Sequence, residues 1–378
     1  MDRLKILALE PYYGGSHQAF LDGWISHSDH EFTVLGLPAY KWKWRMRHAA
    51  VTFSQRLRES PHCDTVFDAV WCSDMLNLAE FIGLAPPAIQ SLPRVAYFHE
   101  NQFTYPVQGE KKQRDWHFGY TNFTTCLAAD RLWFNSEYHR QDFLKALRTY
   151  LARMPDYSSV EQVDSIETKS IVQYPGVEPF PSVPTRDAGP MRVCWNARWE
   201  HDKNPEDFFA ALRKLKQQQI AFQLIVLGES FRNSPDVFAT AEKEFHDETL
   251  HWGFAESKAE YRRLLAMADV VVSTANHEFF GIAMVEGMAA GVTPVSPDRL
   301  AYPEVIASIS NQIDLPAELS SLLYGQTVDD LVEQLKLAST VLDELRPPQG
   351  SSLQDATKHF HWPSRAESMD AGLRSLTG

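Results

Sequence analysis

The chain has 378 residues, of which 44% are hydrophobic and 12% aromatic. At roughly 150 residues per domain, this length predicts two or three globular units and excludes a single small module. Charged residues make up 22% of the chain, which is typical of a folded protein rather than a disordered one. The net charge of −13 excludes a protein that coats nucleic acid through its overall charge.

The negative charge is unevenly distributed. Residues 1–187 carry 19 basic and 22 acidic side chains, whereas residues 188–378 carry 17 and 27. The segment from Phe32 to Arg58 contains six Lys or Arg residues and no acidic residue. A polyanionic partner would therefore have to bind a local patch, and the first half of the chain offers one.

Cysteine use and the amino terminus predict a cytoplasmic protein that is not bound to a membrane. The four cysteines form no CxxC pair, which argues against a disulfide scaffold and against a structural zinc site. The apolar run Leu4–Leu9 is too short for a signal peptide, and no run approaches the roughly 20 apolar residues of a membrane span. We expect no metal and no required cofactor.

Short apolar runs alternate with longer amphipathic stretches, the pattern of parallel strands joined by helices. The first series of predicted strands comprises Leu4–Leu9, Phe32–Leu37, Ala69–Cys72, Arg94–Phe98, Arg131–Phe134 and Ile171–Tyr174. The second series comprises Met191–Asn196, Phe222–Leu227, Leu250–Trp252, Val270–Ser273 and Thr293–Ser296. The predicted fold class is therefore α/β, with two doubly wound, Rossmann-like domains.

A proline-rich stretch separates the two series. Pro175–Pro190 contains five prolines, which disfavour both a helix and a central strand. The predicted organisation is an N-terminal domain (1–178), a linker (179–190), a second domain (191–354) and a C-terminal helical segment (355–378) that could pack back on the first domain. We expect Pro363 to interrupt that helical segment near Trp362.

Ligands of open parallel sheets bind beyond the carboxyl ends of the strands. Gly14 and Gly15 follow the first strand, where glycine lets backbone N–H groups approach a phosphate, although a plain tight turn is equally compatible. The full GxGxxG fingerprint of nicotinamide dehydrogenases is missing from this position. His99-Glu100-Asn101-Gln102 follows the fourth strand, and these polar groups predict a polar ligand unless they only close the loop.

The second half of the chain offers a candidate diphosphate site. Arg198 lies just past a strand and Lys203 at the start of the next helix, and two cations on one loop can neutralise a diphosphate without a metal. The alternative is an ordinary charged turn in which Glu200 and Asp202 are the partners of the two cations.

The most specific segment is His277–Gly291. Glu278 should lie in a loop and Glu286 in a helix that begins near Gly281 and is capped by Gly291. A buried Glu286 needs hydrogen-bond donors, and sugar or ribose hydroxyls are suitable ones. The alternative is a pair of carboxylates that only cap the helix.

Together these residues resemble the retaining nucleotide-sugar glycosyltransferases of the GT-B architecture, in which two Rossmann-like domains face a central cleft. The resemblance rests on the E-x7-E spacing of Glu278 and Glu286. It implies that Arg198 and Lys203 bind the diphosphate, that Glu286 binds the ribose and that Glu278 and His99 contact the donor sugar. The catalytic residues it implies are His99, Glu278, Arg198 and Lys203, and the donor-binding residues are Gly14, Gly15, Arg198, Lys203, Glu278, Phe280, Gly281, Ile282 and Glu286.

The first half resembles, more narrowly, the glycosyltransferase-like domain-containing group that includes tRNA-queuosine alpha-mannosyltransferases. The shared strings are Leu9–His17, Trp44–His48, Phe98–Gln102 and Phe134–Ser136. The resemblance implies GDP-mannose as donor and the queuosine base of a tRNA anticodon as acceptor. Phe279 and Ala197 depart from the wider pattern, which often has glycine at both positions, and neither change removes a functional side chain.

The basic segment fits such an acceptor, because it interleaves cations with two indoles that could contact phosphates and stack on bases. Alternatively, its Trp and Met side chains pack into the domain while Lys and Arg reach outward. The candidate tRNA-binding residues are Lys41, Lys43, Trp44, Arg45, Arg47, His48, Glu100, Asn101, Gln102, Lys111 and Lys112. Other functions left open are a glycosyltransferase with another nucleotide sugar and a small-molecule, lipid or glycan acceptor, and a non-catalytic RNA or nucleotide-sugar binding protein.

Overall fold

The computed structural model describes residues 3–59, 64–106, 114–181, 188–231, 233–310, 321–346 and 352–377. The chain forms two compact units. The first extends to Gly176 and also contains the C-terminal helix that begins at Trp362, and the second runs from Val177 to His361.

The first unit is built on a six-stranded parallel sheet with the strand order β2-β1-β3-β4-β5-β6. Apolar runs form its central strands because both faces of the sheet are covered by helices and buried. The strands are β1 (Lys5–Tyr13), β2 (Glu31–Pro38), β3 (Ala69–Ser73), β4 (Arg94–Phe98), β5 (Arg131–Phe134) and β6 (Ser170–Val172). The helices are α1 (Gly15–His27), α2 (Trp42–Arg56), α3 (Leu78–Leu84), α4 (Pro87–Gln90), α5 (Trp116–Ala128), α6 (Glu137–Leu151) and α7 (Gln162–Thr168).

The C-terminal helix (Trp362–Thr377) completes the core of the first unit. Trp362 packs so closely on Gly23 that a Cβ atom there would lie 2.2 Å from the indole ring. Asp370 accepts a hydrogen bond of 2.8 Å from the indole N–H of the buried Trp24. The interruption expected near Trp362 falls at His361, and Pro363 lies in the first turn of the new helix, where no N–H is needed.

The second unit contains another six-stranded parallel sheet, with the order β12-β11-β10-β7-β8-β9. Its strands are β7 (Met191–Asn196), β8 (Phe222–Leu227), β9 (Thr249–Gly253), β10 (Val270–Val272), β11 (Thr293–Pro297) and β12 (Leu323–Tyr324). Its helices are α8 (Pro205–Gln217), α9 (Val237–Glu244), α10 (Lys258–Met267), α11 (Ile282–Ala289), α12 (Tyr302–Ser310), α13 (Val328–Thr340), α14 (Leu342–Leu345) and α15 (Ser352–Ala356). Short 3-10 helices lie at His201–Lys203 and Thr357–Phe360.

Each of the eleven predicted strands overlaps an observed one, which confirms the α/β class. The strand order reverses between β1 and β3 in the first unit and between β7 and β10 in the second. The loops that leave these strands therefore border the crevice in which open α/β sheets bind ligands.

Candidate active site

In the second unit, the loops after β7 and β10 bring Lys203 and Glu278 together. The ammonium of Lys203 donates hydrogen bonds to a Glu278 carboxylate oxygen at 3.2 Å and to the carbonyl oxygen of His277 at 2.9 Å. A carboxylate oxygen of Asp202 lies 3.3 Å away. Lys203 is only 8% exposed, so this is a buried cation surrounded by oxygen atoms.

Electrostatics keep both members of this pair charged. Burial favours the neutral form of each, but the charge of Lys203 and its hydrogen bond outweigh burial and lower the pKa of Glu278. Burial likewise opposes protonation of Lys203, while the carboxylates of Glu278 and Asp202 raise the pKa of its ammonium. Burial and the nearby Lys203 lower the pKa of His277 to about 4, so its ring is neutral at pH 7.

Gly281 sets the start of α11 beside this pair. Its φ of 89° lies in the left-handed region, and a Cβ atom there would lie 2.9 Å from the ring of Tyr302. Only glycine satisfies both conditions. Among the described residues, no side chain caps the helix. The carboxylate of Glu278 accepts hydrogen bonds from the N–H groups of Phe279 and Phe280, which precede the helix. The predicted helix start near Gly281 is confirmed, and the alternative in which Glu278 only caps the helix is not observed.

Glu286 lies one turn into α11 and is held by a side chain that the sequence analysis did not identify. The hydroxyl of Tyr261 donates a 2.5 Å hydrogen bond to its carboxylate, and the amide of Asn196 donates to the Tyr261 oxygen at 2.9 Å. Burial raises the pKa of Glu286, and the hydrogen bond from Tyr261 opposes that rise. Asn196 ends β7, so the three side chains join β7, α10 and α11.

Of the remaining second-unit candidates, Arg198 and Ile282 are accessible to solvent, whereas Phe280 is not. Arg198 is half exposed, and its guanidinium lies 3.1 Å from a carboxylate oxygen of Glu200. Ile282 is partly exposed at the start of α11, and Phe280 is buried. The alternative of an ordinary charged turn predicts that Glu200 and Asp202 pair with the two cations, and both pairs are observed. An ordinary turn does not, however, explain why Lys203 is buried.

In the first unit, the two glycines after β1 differ in their surroundings. Gly14 has an extended backbone, and a Cβ atom on it would lie 2.5 Å from the Cβ of Ala39, so close packing requires glycine there. Gly15 has a φ of 55° and nothing within 4 Å of a Cβ atom. Gly14 thus has a packing role, and Gly15 allows the turn into α1.

A buried ion pair lies next to these glycines. Nδ1 of His17 is 3.2 Å from a Glu10 carboxylate oxygen, and the other Glu10 oxygen accepts hydrogen bonds from the Ser73 hydroxyl and the Tyr12 N–H. Burial opposes protonation of His17, but the charge and hydrogen bond of Glu10 outweigh it and raise the pKa of His17 to about 9. His17 is therefore a cation at neutral pH.

His99 lies against this cation. The His17 and His99 ring centroids are 4.0 Å apart, and the ring planes are inclined by 35°. Burial and the charge of His17 lower the pKa of His99 well below its usual value, so its ring is neutral. Its backbone N–H donates to Asp74, while its buried Nε2 makes no hydrogen bond within the part of the chain that the structure describes.

Glu10, His17 and His99 also offer three ligand atoms within 4.8 Å of one another. The contacts observed among them are the 3.2 Å pairing of His17 with Glu10 and the ring of His99 inclined by 35° to that of His17. The observed arrangement is that of an ion pair next to a neutral histidine.

The polar loop after β4 is partly structural. Asn101 is fully buried, and its side-chain oxygen accepts hydrogen bonds from the N–H groups of Phe103 and Thr104. Gln102 is also buried and donates to the carboxylate of Glu100 at 2.9 Å. We therefore assign Asn101 to loop closure and do not retain it as an RNA contact.

Within the basic segment, residues 42–48 form the first half of α2, and Lys41 precedes it. Some of these side chains pack into the unit and others are exposed. Met46 is buried with Trp42 against it, as the packing alternative predicts. Trp44, by contrast, is 61% exposed, and its ring lies 5.0 Å from that of His48. Lys41, Lys43 and Arg47 are exposed, and Arg45 donates to the carbonyl oxygen of Pro38. Lys111 and Lys112 lie outside the described residues.

Sequence reasoning missed Glu10, His17 and Tyr261. The sequence pattern could have indicated the first two, because Glu10 is a charged residue in an apolar strand and His17 lies shortly after the glycine pair. Tyr261 gave none, because its contact with Glu286 joins positions 25 residues apart on different helices.

Two family models match successive parts of the chain. The model described as tRNA-queuosine alpha-mannosyltransferase N-terminal matches residues 5–177, and the one described as Glycosyl transferases group 1 matches residues 179–336. A tRNA-queuosine alpha-mannosyltransferase of Drosophila melanogaster is 37% identical over 336 residues, which cover 85% of this chain and 86% of that protein. The chain belongs to the tRNA-queuosine alpha-mannosyltransferase family. This confirms the resemblance found in the sequence and makes the chain a glycosyltransferase.

Other similarities cover a shorter part of the chain or concern the fold alone. A GDP-mannose:cellobiosyl-diphosphopolyprenol alpha-mannosyltransferase of Xanthomonas oryzae pv. oryzae is 30% identical over 108 residues, 28% of each chain. The fold matches sucrose-phosphate synthase from Thermosynechococcus elongatus with a TM-score of 0.70 at 14% identity, covering 99% of both chains. HepE from Anabaena in complex with UDP matches with a TM-score of 0.64 at 14% identity over 99% of this chain and 100% of that one. The fold is that of the GT-B glycosyltransferases. Within the described ranges, no helix has the length and apolar character needed to cross a membrane.

Proposed function

We propose that the chain transfers mannose from GDP-mannose to the queuosine nucleoside of a tRNA, with retention of anomeric configuration. The family supports mannose as the transferred sugar and tRNA queuosine as the acceptor, because the name of the Drosophila relative contains both. GDP-mannose as donor is supported by the name of the shorter Xanthomonas match. A tRNA substrate and buried, unpaired cysteines among the described residues favour the cytoplasm as the site of action.

The observation that carries the donor half of the proposal is the buried ammonium of Lys203. A cation kept at 8% exposure and opposite Glu278 is costly to maintain without a function. We propose that residues 191–354 form the donor domain, in which Lys203 and Arg198 bind the diphosphate, Glu278 contacts the sugar and Glu286 binds the ribose. Phe280, Gly281 and Ile282 complete the proposed donor site of the second unit, and Gly14 and Gly15 are the proposed donor-binding residues of the first unit.

These groups suit a reaction in which negative charge develops on a leaving diphosphate. The bond between the anomeric carbon and the diphosphate oxygen breaks, and the acceptor oxygen bonds to the same face of the sugar. The acceptor proton leaves with the released nucleoside diphosphate. Fixed cations stabilise the developing charge in the transition state, since they need no reorganisation as the bond breaks.

For the acceptor half, we propose that residues 1–178 contact the tRNA. The surface cations Lys41, Lys43, Arg45 and Arg47, with Trp44 and His48, would contact its backbone and bases, and Glu100 and Gln102 would lie nearer the reacting nucleoside. We retain His99 as the residue beside the donor sugar. Its buried Nε2, without a hydrogen bond among the described residues, supports a bound polar ligand at that position.

The test is to incubate the protein with GDP-mannose and queuosine-containing tRNA and to analyse the digested nucleosides by mass spectrometry. We expect queuosine to gain one hexose, and Lys203→Met to abolish the gain while Lys258→Met, a change at an exposed lysine, preserves it. Transfer from UDP-sugars but not from GDP-mannose would contradict the assignment of GDP-mannose as the donor. Transfer to a small molecule, lipid or glycan alone would contradict the acceptor, and binding without any transfer would contradict the enzymatic assignment.

A further inference from the structure

Helix α5 presents an apolar stripe to solvent. Trp116, Tyr120 and Leu127 are 42%, 44% and 41% exposed, and their spacing of four and seven residues places them on one face of the helix. Exposed aromatic side chains clustered in this way indicate a binding surface more often than single exposed apolar residues do.

The stripe borders a groove of about 250 Å³ between α5 and α6. The rings of Trp116 and Tyr150 stack along it, with centroids 5.2 Å apart and planes inclined by 23°. Phe103 is buried at its base and lies 5.2 Å from the ring of Tyr150. The groove therefore offers flat aromatic surfaces that are partly open to solvent.

The polar rim of the groove is mainly positive. Lys145 and Arg153 line it and are exposed, and neither forms an ion pair within the described ranges. The guanidinium of Arg114 lies 5.7 Å from the Trp116 ring centroid. Asp142 is the acidic lining residue, and its charge acts on the nearby Arg114, so the groove and its edge carry three cations and one carboxylate. Aromatic surfaces edged by cations match the bases and phosphates of a nucleic acid strand.

Helix α5, whose first residue lines the groove, also contacts the basic side chains of α2. Arg47 contacts His117, the residue after Trp116, and its guanidinium lies 5.0 Å from the centroid of the Phe118 ring. Lys43 lies 5.7 Å from the same ring. Between them, α2 and α5 contain no acidic residue. The exposed Lys43 and Arg47 of α2 therefore lie beside the start of α5, where Trp116 is exposed.

We propose that this groove binds an unpaired nucleotide of the acceptor tRNA other than the one that is modified. Its base would stack on Trp116 and Tyr150, and its phosphate would lie between Lys145 and Arg153. This inference rests on the proposed function, in which tRNA is the acceptor. Because stacking on aromatic rings tolerates any base, the groove would add affinity for the RNA rather than select the nucleoside that is modified.

The test measures binding of a tRNA transcript without queuosine and without donor, by fluorescence anisotropy over a series of salt concentrations. We expect Trp116→Ala to raise Kd roughly 5- to 150-fold, because stacking contributes about 1–3 kcal/mol per base. Trp116→Phe should retain most of the affinity. The matched control is Phe254→Ala, at an aromatic residue of the second unit that is 71% exposed.

The salt dependence of RNA binding tests the two rim cations independently of the aromatic rings. Lys145→Ala combined with Arg153→Ala should lower the slope of log Kd against log salt by about 1 to 2. Both residues are exposed, so these changes test the groove even if Trp116→Ala fails to fold. Wild-type affinity and an unchanged salt slope in these variants would overturn the proposal.

Transfer assays separate this inference from the proposed function. If free queuosine nucleoside is a substrate, the groove variants should mannosylate it like the wild type and lose activity only toward tRNA. If the wild type modifies tRNA and the variants bind it equally well, the groove proposal fails while the function stands. If the wild type neither binds nor modifies tRNA, the acceptor assignment itself fails.

Discussion

Replacing Lys203 with methionine removes a cation that lies 3.2 Å from Glu278 and 3.3 Å from Asp202. Breaking a buried ion pair by removing one partner costs about 3–5 kcal/mol, because the remaining charge stays buried. For a unit of this size, 1 kcal/mol corresponds to a Tm shift of roughly 2–4 °C. The melting transition of the second unit should therefore fall by roughly 6–20 °C.

A second substitution tests the cause of this loss. Combining Lys203→Met with Glu278→Gln removes one of the two carboxylate charges left uncompensated, that of Glu278, while Asp202 remains. Part of the lost stability should therefore return, while transfer stays at least about 100-fold below the wild type. Without Lys203, burial should raise the pKa of Glu278, opposed by the backbone hydrogen bond from Phe280 that remains, so the single variant should regain stability relative to the wild type as the pH falls toward 5.

Calorimetry of the wild type, the two variants and the exposed control Lys258→Met, together with transfer rates, decides the question. A Tm of Lys203→Met equal to that of the wild type would show that the pair does not form. A double variant as unstable as the single one would show that the loss arises from packing rather than charge. Transfer by either variant at the wild-type rate would refute the role of the pair in the donor site.

Three further changes have expected outcomes. Tyr261→Phe removes a hydrogen bond to the carboxylate of Glu286 and should raise the KM for the donor roughly 10-fold with little change in kcat, whereas an unchanged KM would exclude a positioning role. Gly281→Ala should destabilise the second unit by roughly 1–3 kcal/mol, because of the φ of 89° and the contact with Tyr302, and a neutral effect in thermal melts would contradict this. Since the pKa of His17 is raised to about 9, the wild type should lose about 3 kcal/mol of stability as the pH rises from about 6.5 through 9, and urea titrations of His17→Gln should show no such loss.

A matched glycine controls the second of these experiments. A Cβ atom on Gly83, which lies in α3, would meet nothing within 4 Å, and its φ is not positive. Gly83→Ala should therefore be neutral or stabilising by roughly 0.5–1 kcal/mol. Equal destabilisation by the two alanines would mean that the geometry at Gly281 is not the cause.

The sheets were largely predictable because parallel strands buried on both faces form continuous apolar runs. The strands from Met191 and Phe222 begin and end where predicted. The first strand extends past its apolar run to Tyr13, because its final residues pair with β2 across an irregular register. The strand Leu323–Tyr324 was missed, since two residues carry no periodicity.

The candidate site was predictable only where its residues follow strands. Lys203 and Glu278 were identified from their places after β7 and β10, but the distance between their side chains depends on loop conformation. Tyr261 and the stack of Trp116 on Tyr150 join residues from different helices, and no local pattern reports such contacts. Asn101 was predicted to contact a ligand because it is one of four consecutive polar residues. Its burial, which the sequence does not report, shows that its side chain closes the loop instead.

The most direct test of the central claim compares two tRNAs of identical sequence, one with queuosine and one with guanosine at the modified anticodon position. Each is incubated with GDP-mannose and the wild-type protein, and the nucleosides are then analysed by mass spectrometry. The proposed function predicts one added hexose on queuosine and none on the guanosine-containing tRNA. Equal labelling of the two tRNAs, or labelling of neither by a folded protein that binds GDP-mannose, would contradict it.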